Sequence, residues 1–264
     1  MGWQACSRRI HPRVDESRSG LLDRVRRVAR EGIEDVHVVT WNIRHGDDLD
    51  RAIAALRRQA DLAAADVILL QEMDEPGTIE VADALGYHHV YASPGRHAKT
   101  GRDFGNAILS SAPLADREVV ELPHKALLAG HARIAIGATA TFDGLDVRLW
   151  STHTEIPSLA WPKRRDQFEV FAKALAGSGH DHVIGGGDFN TISRKGIRYL
   201  INHLEQHGLA HVSIEAVTLR RAGRNFTLDH LFARGLCPID SGVVTKLDVS
   251  DHAPVWVRLE LIGS

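Results

Sequence analysis

Residues 182–191 read HVIGGGDFNT. The apolar start, His182 to Gly185, reads as a strand, and Asp188 and Asn190 follow it two residues apart. If the chain stays extended, period-two alternation puts their side chains on the same side. The Gly185 to Gly187 run fits a tight turn and is by itself a weak sign of a phosphate cradle.

The same ending recurs along the chain. VVTWNIRHG closes a strand over Val36 to Trp41 with Asn42, and VILLQEMD closes one over Val67 to Gln71 with Glu72. VRLWSTHTE closes a strand over Val147 to Thr152 with His153. TLDHLF brings Asp229 into Leu228 to Phe232, and VSDHAPVWVRL places Asp251 and His252 ahead of a strand over Val255 to Leu261. Singly, an Asp or Asn at a strand end is a turn former or a helix cap. Six such endings in one chain exceed what turns require.

These residue types share a chemistry. Hydrolysis of a phosphate ester needs an attacking water in line with the leaving oxygen, neutralised charge on the nonbridging oxygens and help for the leaving group. Carboxylates that hold a hard cation, with amide and imidazole groups for the phosphate, meet those needs. Mg²⁺ and Mn²⁺ prefer oxygen ligands, which makes Glu72 and Asp251 candidate direct ligands.

Further strands are expected over Ala107 to Ser110, Arg133 to Phe142 and Gly242 to Thr245, and helices over Leu49 to Ala64, Pro162 to Ala176 and Ile197 to His207. Many strands and few helices suit two packed sheets with helices on their outer faces. Residues 1–17 read as a polar tail, and 18–264 as one domain that opens with a basic amphipathic helix over 20–31.

Composition limits the function classes. With 44% hydrophobic and 25% charged residues, the chain has material for a large core. A net charge of -2 argues against a protein that coats nucleic acid by bulk electrostatics alone, though a bound cation would reverse the sign of an acidic cleft. Cys6 and Cys237 form no metal-spaced cluster, and no disulfide framework is expected. MGWQAC lacks the Ser or Thr that myristoylation wants at Cys6, and no stretch reaches the roughly 18 apolar residues of a membrane span. The expectation is a cytoplasmic protein without an obligate protein partner. His88, His89, His180 and His182 form no spaced zinc set.

The segments TWNIRHG, LLQEMD, GNAILSS, STHTE, GGGDFNT, LDHLF and SDHAPV, from Thr40 to Val255, resemble the endonuclease/exonuclease/phosphatase superfamily, the fold of deoxyribonuclease I. The resemblance implies an α+β fold, a four-layer α-β-β-α sandwich of two packed, mostly antiparallel sheets with the site at one edge. It implies Mg²⁺ or Mn²⁺ as cofactor, with Glu72 the principal ligand, Asn42 beside it and Asp251 holding the metal or its waters. Asp188 would orient or deprotonate the attacking water, and Asn190 would hold the phosphate. His252 would contact the scissile phosphate with Asp229 fixing its tautomer, and His153 resembles a second phosphate-facing histidine. Asn106 matches a cleft-lining position, and Arg164 or Arg165 would reach phosphate, with Arg165 taken as the candidate. The implied substrate is a phosphodiester, with DNA or RNA placed ahead of a phospholipid, sphingomyelin or an inositol phosphate. ELPHKALLAGHAR, around Leu127 and Leu128, is a candidate substrate-side loop. An inactive binding module is disfavoured because each catalytic position holds a competent residue.

Overall fold

A computed structural model describes residues 35–63, 65–97, 101–126 and 131–261. The tail over 1–17, the helix over 20–31 and Leu127 and Leu128 lie outside the described residues. One sheet comprises β1 (Asp35–Asn42), β2 (Val67–Met73), β3 (His88–Ala92), β4 (Gly105–Ser110), β13 (Leu236–Val243) and β14 (Val255–Leu261), in the order β13-β14-β1-β2-β4-β3. The second comprises β5 (Leu114–Leu122), β6 (Arg133–Phe142), β7 (Leu145–His153), β8 (His182–Asp188), β9 (Ala210–His211) and β12 (Asp229–Arg234), in the order β5-β6-β7-β8-β12-β9. A small hairpin joins β10 (Leu219–Arg221) to β11 (Arg224–Phe226). The helices are α1 (Leu49–Arg58), α2 (Glu75–Leu85), α3 (Trp161–Ala176) and α4 (Arg194–Gln206).

Each sheet is antiparallel except for its central pair, β1 with β2 and β7 with β8. A parallel pair needs a crossover, and α1 and α3 supply the two. The two halves of the sandwich therefore repeat one plan.

Side-chain alternation divides the molecule into four layers. Along β1, Val36 and Val38 join Ile136, Leu149, Ile184 and Leu231 of the opposite sheet in the central core. Val39 and Trp41, on the other face, pack with Leu56 of α1 and Val81 of α2. On the second sheet Trp150, Val183 and Phe232 face outward against Phe168 and Phe171 of α3 and Leu200 of α4. The α-β-β-α sandwich is thus present.

Strands at Arg133–Phe142 and Val255–Leu261 match their expected bounds. Helix α1 stops at Arg58, before the expected Ala64, because the backbone turns extended at Gln59. The strand expected over Gly242 to Thr245 runs instead over Leu236–Val243, with a bulge between Pro238 and Asp240. Strands β3 and β5 and helix α2 carry many exposed or polar residues, which blurs their periodicity. No helix among the described residues is long and apolar enough to cross a membrane.

The triple glycine is a packing device rather than a cradle. A Cβ on Gly185 would stand 2.5 Å from Leu175 of α3, and one on Gly186 2.5 Å from the His230 carbonyl oxygen. At Gly187 the backbone has φ +146°, and a Cβ would meet the Thr152 carbonyl oxygen at 1.8 Å. Strain and overlap coincide there, so Gly187→Ala is expected to cost on the order of 3 kcal/mol in urea unfolding. A loss below about 1 kcal/mol, the ordinary cost of a point mutation, would show that β7 and β8 yield freely at this point.

Candidate active site

The inward face of the central strands changes character at one end of the sandwich. On β1 the inward series runs Val36, Val38, Thr40, Asn42, and on β7 it runs Val147, Leu149, Ser151, His153. On β8 it runs Ile184, Gly186, Asp188, and β12, which is antiparallel to β8, opens at the same end with Asp229. Beneath the site lies a buried polar layer: Gln71 Nε2 donates to Thr40 Oγ1 at 3.2 Å and to Ser151 Oγ at 3.2 Å. The bond to Ser151 crosses between the sheets, and both satisfy groups that would otherwise be costly to bury.

Glu72 owes its orientation to a β-bulge. Simple alternation would send it outward with Ile68 and Leu70, but the register of β2 on β4 shifts between Gln71 and Met73, and Glu72 takes φ +59°. Its side chain is 18% exposed, with Oε1 accepting from Asn42 Nδ2 at 3.0 Å and Oε2 lying 3.5 Å from His45 Nε2. The same Asn42 Nδ2 donates to Asp188 Oδ2 at 3.1 Å, joining carboxylates of the two sheets. Asn42 Oδ1 accepts from the Arg44 amide at 3.1 Å.

Asp188 is buried at the junction. Its Oδ1 accepts from the Asn190 amide at 2.8 Å. Its Oδ2 lies 3.5 Å from His153 Nε2 and 3.7 Å from His252 Nε2. Burial and the neighbouring Asp229 carboxylate push the Asp188 carboxyl upward, against the pull of His252, Asn190 and Asn42.

His252 arrives from the loop ahead of β14 and is fixed from several sides. Trp41 Nε1 donates to its carbonyl oxygen at 2.9 Å, and its amide donates to Ser250 Oγ at 3.1 Å. Its Nδ1 lies 2.9 Å from Asp229 Oδ2, which leaves Nε2 facing Asp188. Burial alone would push the imidazole down, but the Asp229 and Asp188 carboxylates outweigh it and raise its pKa to about 10.

His153 behaves oppositely. Burial and the adjacent Arg133 hold it well below the usual histidine range. Both ring nitrogens face donors: Arg133 Nη1 lies 3.0 Å from Nδ1 and Asn190 Nδ2 lies 3.0 Å from Nε2, which is also 3.5 Å from Asp188 Oδ2.

Asn190 stands in the left-handed region at φ +48°, its Nδ2 donating to the Thr154 carbonyl at 3.0 Å. Arg164 fastens this turn: its Nη2 donates to the carbonyls of Asn190 at 2.8 Å and Phe189 at 3.1 Å. Arg165 is not brought to the cluster; its guanidinium lies over the Tyr199 ring, 4.6 Å from the centroid. Asn106 ties the sheets together, its Nδ2 donating to the Ile134 carbonyl at 2.9 Å, and lines a small cleft with Phe104, Arg133 and His153. Asp251 is exposed, close enough to His252 to help raise it.

Several neighbours were not singled out from sequence. His45 faces Glu72, and Phe104 lies among the rings of His45, His97, His131 and His153 at 5.3–5.5 Å. The buried Glu155 accepts from Arg133 Nη2 at 3.3 Å. His45 lies within the quoted TWNIRHG segment, three residues beyond Asn42, and that proximity was the available signal.

The donor set fits a hard divalent cation. Glu72 offers a partly exposed carboxylate, Asn42 Oδ1 keeps a second lone pair, and Asp251 adds an exposed carboxylate nearby.

The architecture and this cluster define a two-sheet α/β sandwich with an acid-, amide- and imidazole-lined site at the ends of its parallel pairs. The sequence model of the Endonuclease/Exonuclease/phosphatase family matches residues 39–252, and the chain belongs to that family. A solved endonuclease/exonuclease/phosphatase from Beutenbergia cavernae superposes with a TM-score of 0.72 at 21% identity, covering 87% of this chain and 72% of that one. D. rerio TDP2 in complex with a single-strand DNA product gives 0.67 at 17% identity, covering 86% and 99%. ANGEL2, described as a 2',3'-cyclic phosphatase, gives 0.69 at 15% identity, covering 87% and 96%. In sequence, a UPF0294 protein of Vibrio vulnificus is 34% identical over 79 residues, which span 30% of this chain and only 28% of that protein.

The charge arrangement around His252 is directly testable. A raised imidazole stabilises the fold fully below the unfolded value near 6.5 and loses that contribution as pH rises through about 10. Histidine NMR should find His252 still protonated at pH 8, and Asp229→Asn should return its titration toward the ordinary range. A wild-type His252 that titrates near 6.5 would contradict this electrostatic reading.

Proposed function

We propose that this protein hydrolyses a phosphodiester with Mg²⁺ or Mn²⁺ as cofactor, and that nucleic acid is its preferred substrate. The observation that carries the reading is Asn42, whose one amide nitrogen bonds Glu72 at 3.0 Å and Asp188 at 3.1 Å. A cation-holding carboxylate and a buried basic carboxylate thereby share one fixed spacing.

Glu72, with Asn42 and Asp251, would hold the cation, which when bound neutralises nonbridging phosphate oxygens. The elevated Asp188 carboxylate is matched to accept a proton from the attacking water near neutral pH. His252 stays cationic and presents Nε2–H to the phosphate, while Asp229 holds its Nδ1–H. The neutral His153 stands 3.5 Å from the same Asp188 oxygen, with the Asn190 amide against its Nε2, and together they line the phosphate position. Protonation of the leaving oxygen falls to a water or to one of these imidazoles.

Two observations favour nucleic acid. His45 lies beside Glu72 with the half-buried His97 ring against it, and such aromatic surface at the site suits the stacking of a base. TDP2, of the same fold, is known with a single-strand DNA product. The described residues add no apolar insertion that would favour a phospholipid or sphingomyelin.

The test is a parallel assay with Mg²⁺ or Mn²⁺ on plasmid DNA, single-stranded DNA, RNA, sphingomyelin and inositol phosphates, with Asp188→Ala as the blank. Nicking or shortening of nucleic acid, lost at least about 10³-fold in Asp188→Ala and abolished by EDTA, is the expected result. Turnover of sphingomyelin or inositol phosphate alone would replace the nucleic-acid assignment. Full activity in excess EDTA would overturn the cofactor assignment.

A further inference from the structure

On the outer layer, away from the site, α3 and α4 bring together a second set of metal-binding side chains. His203 in the last turn of α4 and His207, the residue that caps its C-terminus, stand four residues apart, and Glu169 of α3 lies close to both. We propose that Glu169, His203 and His207 form a transition-metal site of the zinc type that staples α3 to α4.

The geometry is already close to that of a loaded site. Glu169 Oε2 lies 2.8 Å from His203 Nε2 and 3.3 Å from His207 Nε2, and the three ligand atoms all fall within 4.8 Å of one another. Zinc bonds of about 2.0–2.1 Å in a tetrahedron set neighbouring ligand atoms roughly 3.3 Å apart. The two distances from Glu169 are thus within about half an ångström of the spacing a tetrahedral zinc imposes.

Ordinary ion pairing accounts for His207, which hydrogen-bonds the carboxylate. It does not account for His203. That Nε2 is shielded from solvent and, although 2.8 Å from Glu169 Oε2, lacks the alignment of a hydrogen bond.

The surroundings orient the ligands. Lys173 Nζ occupies the other carboxylate oxygen, Oε1, at 2.8 Å, so Oε2 is left as a single donor. Tyr199 stacks on the His203 ring at 5.5 Å with an 11° interplanar angle and holds it in place. Partners of this kind fix first ligands in known metal sites. Side-chain exposures of 15%, 24% and 35% for His203, His207 and Glu169 leave an entry path and room for a water as fourth ligand. Two imidazoles and one carboxylate suit Zn²⁺, Co²⁺, Ni²⁺ or Cu²⁺, whereas Mg²⁺ and Mn²⁺ favour the all-oxygen set at Glu72.

The experiment uses the full chain, stripped of metal, in excess Mg²⁺ so that the oxygen site is occupied. One equivalent of Co²⁺ should give the visible absorption of a four-coordinate nitrogen and oxygen site, and one equivalent of Zn²⁺ should remove it. His203→Ala and His207→Ala should each weaken binding at least about tenfold, while Glu72→Gln and Asp188→Asn retain the signal. Glu169→Gln, a change at a half-exposed position, decides the matter if either histidine variant fails to fold. Absence of the signal in the wild-type protein, or its survival in Glu169→Gln, would overturn the proposal. So would its loss in Glu72→Gln or Asp188→Asn, which would place the ion in the hydrolytic site.

Discussion

One amide nitrogen organises the catalytic end of the sandwich. Asn42 Nδ2 donates to Glu72 on the neighbouring parallel strand and to Asp188 on the opposite sheet. Two carboxylates this close repel strongly where water is scarce, and a shared donor between them lowers that cost. The amide reaches both because β1 sits at the centre of its sheet, facing β8 across the core. The polar layer of Thr40, Gln71 and Ser151 holds the two sheets in register immediately beneath it.

From that junction the charges sort themselves. His252, between the Asp188 and Asp229 carboxylates, is driven toward its cationic form, and burial together with Arg133 drives His153 toward its neutral form. Two imidazoles facing one carboxylate oxygen are thus pushed toward different protonation states for identifiable reasons. The bulge at Glu72 and the left-handed turn at Asn190 are backbone conformations of appreciable cost at non-glycine residues. Gly187 and the buried Arg164 support the Asn190 turn from below and behind.

Much of this was legible in sequence because strand ends are. Period-two alternation carries Val36 and Val38 to Asn42, and Val147 and Leu149 to His153, so apolar strands closing in polar residues announce a site. The four-layer sandwich followed from the family resemblance, and β6 and β14 kept the bounds that their apolar runs suggest. What stayed hidden depends on tertiary context. Nothing local tells Arg164, which faces inward to the Asn190 turn, from Arg165, which lies over Tyr199. The bulge that turns Glu72 inward is set by β4, distant in sequence. The glycine run read as a turn because the Leu175 and Thr152 atoms that exclude a Cβ come from other elements. The Glu169, His203 and His207 cluster needs two helices to meet, although the spacing of the histidines on α4 is visible in the sequence.

In the proposed division of labour across the Asn42 bridge, Glu72 would hold the cation and Asp188 would act as base. Mn²⁺ binding to the folded Glu72→Gln and Asp188→Asn variants tests it most directly. The account predicts that Glu72→Gln weakens Mn²⁺ binding by tenfold or more, roughly the loss expected when a carboxylate ligand is neutralised, while Asp188→Asn binds nearly as the wild type. Equal losses in both variants, or undiminished binding in Glu72→Gln, would contradict it.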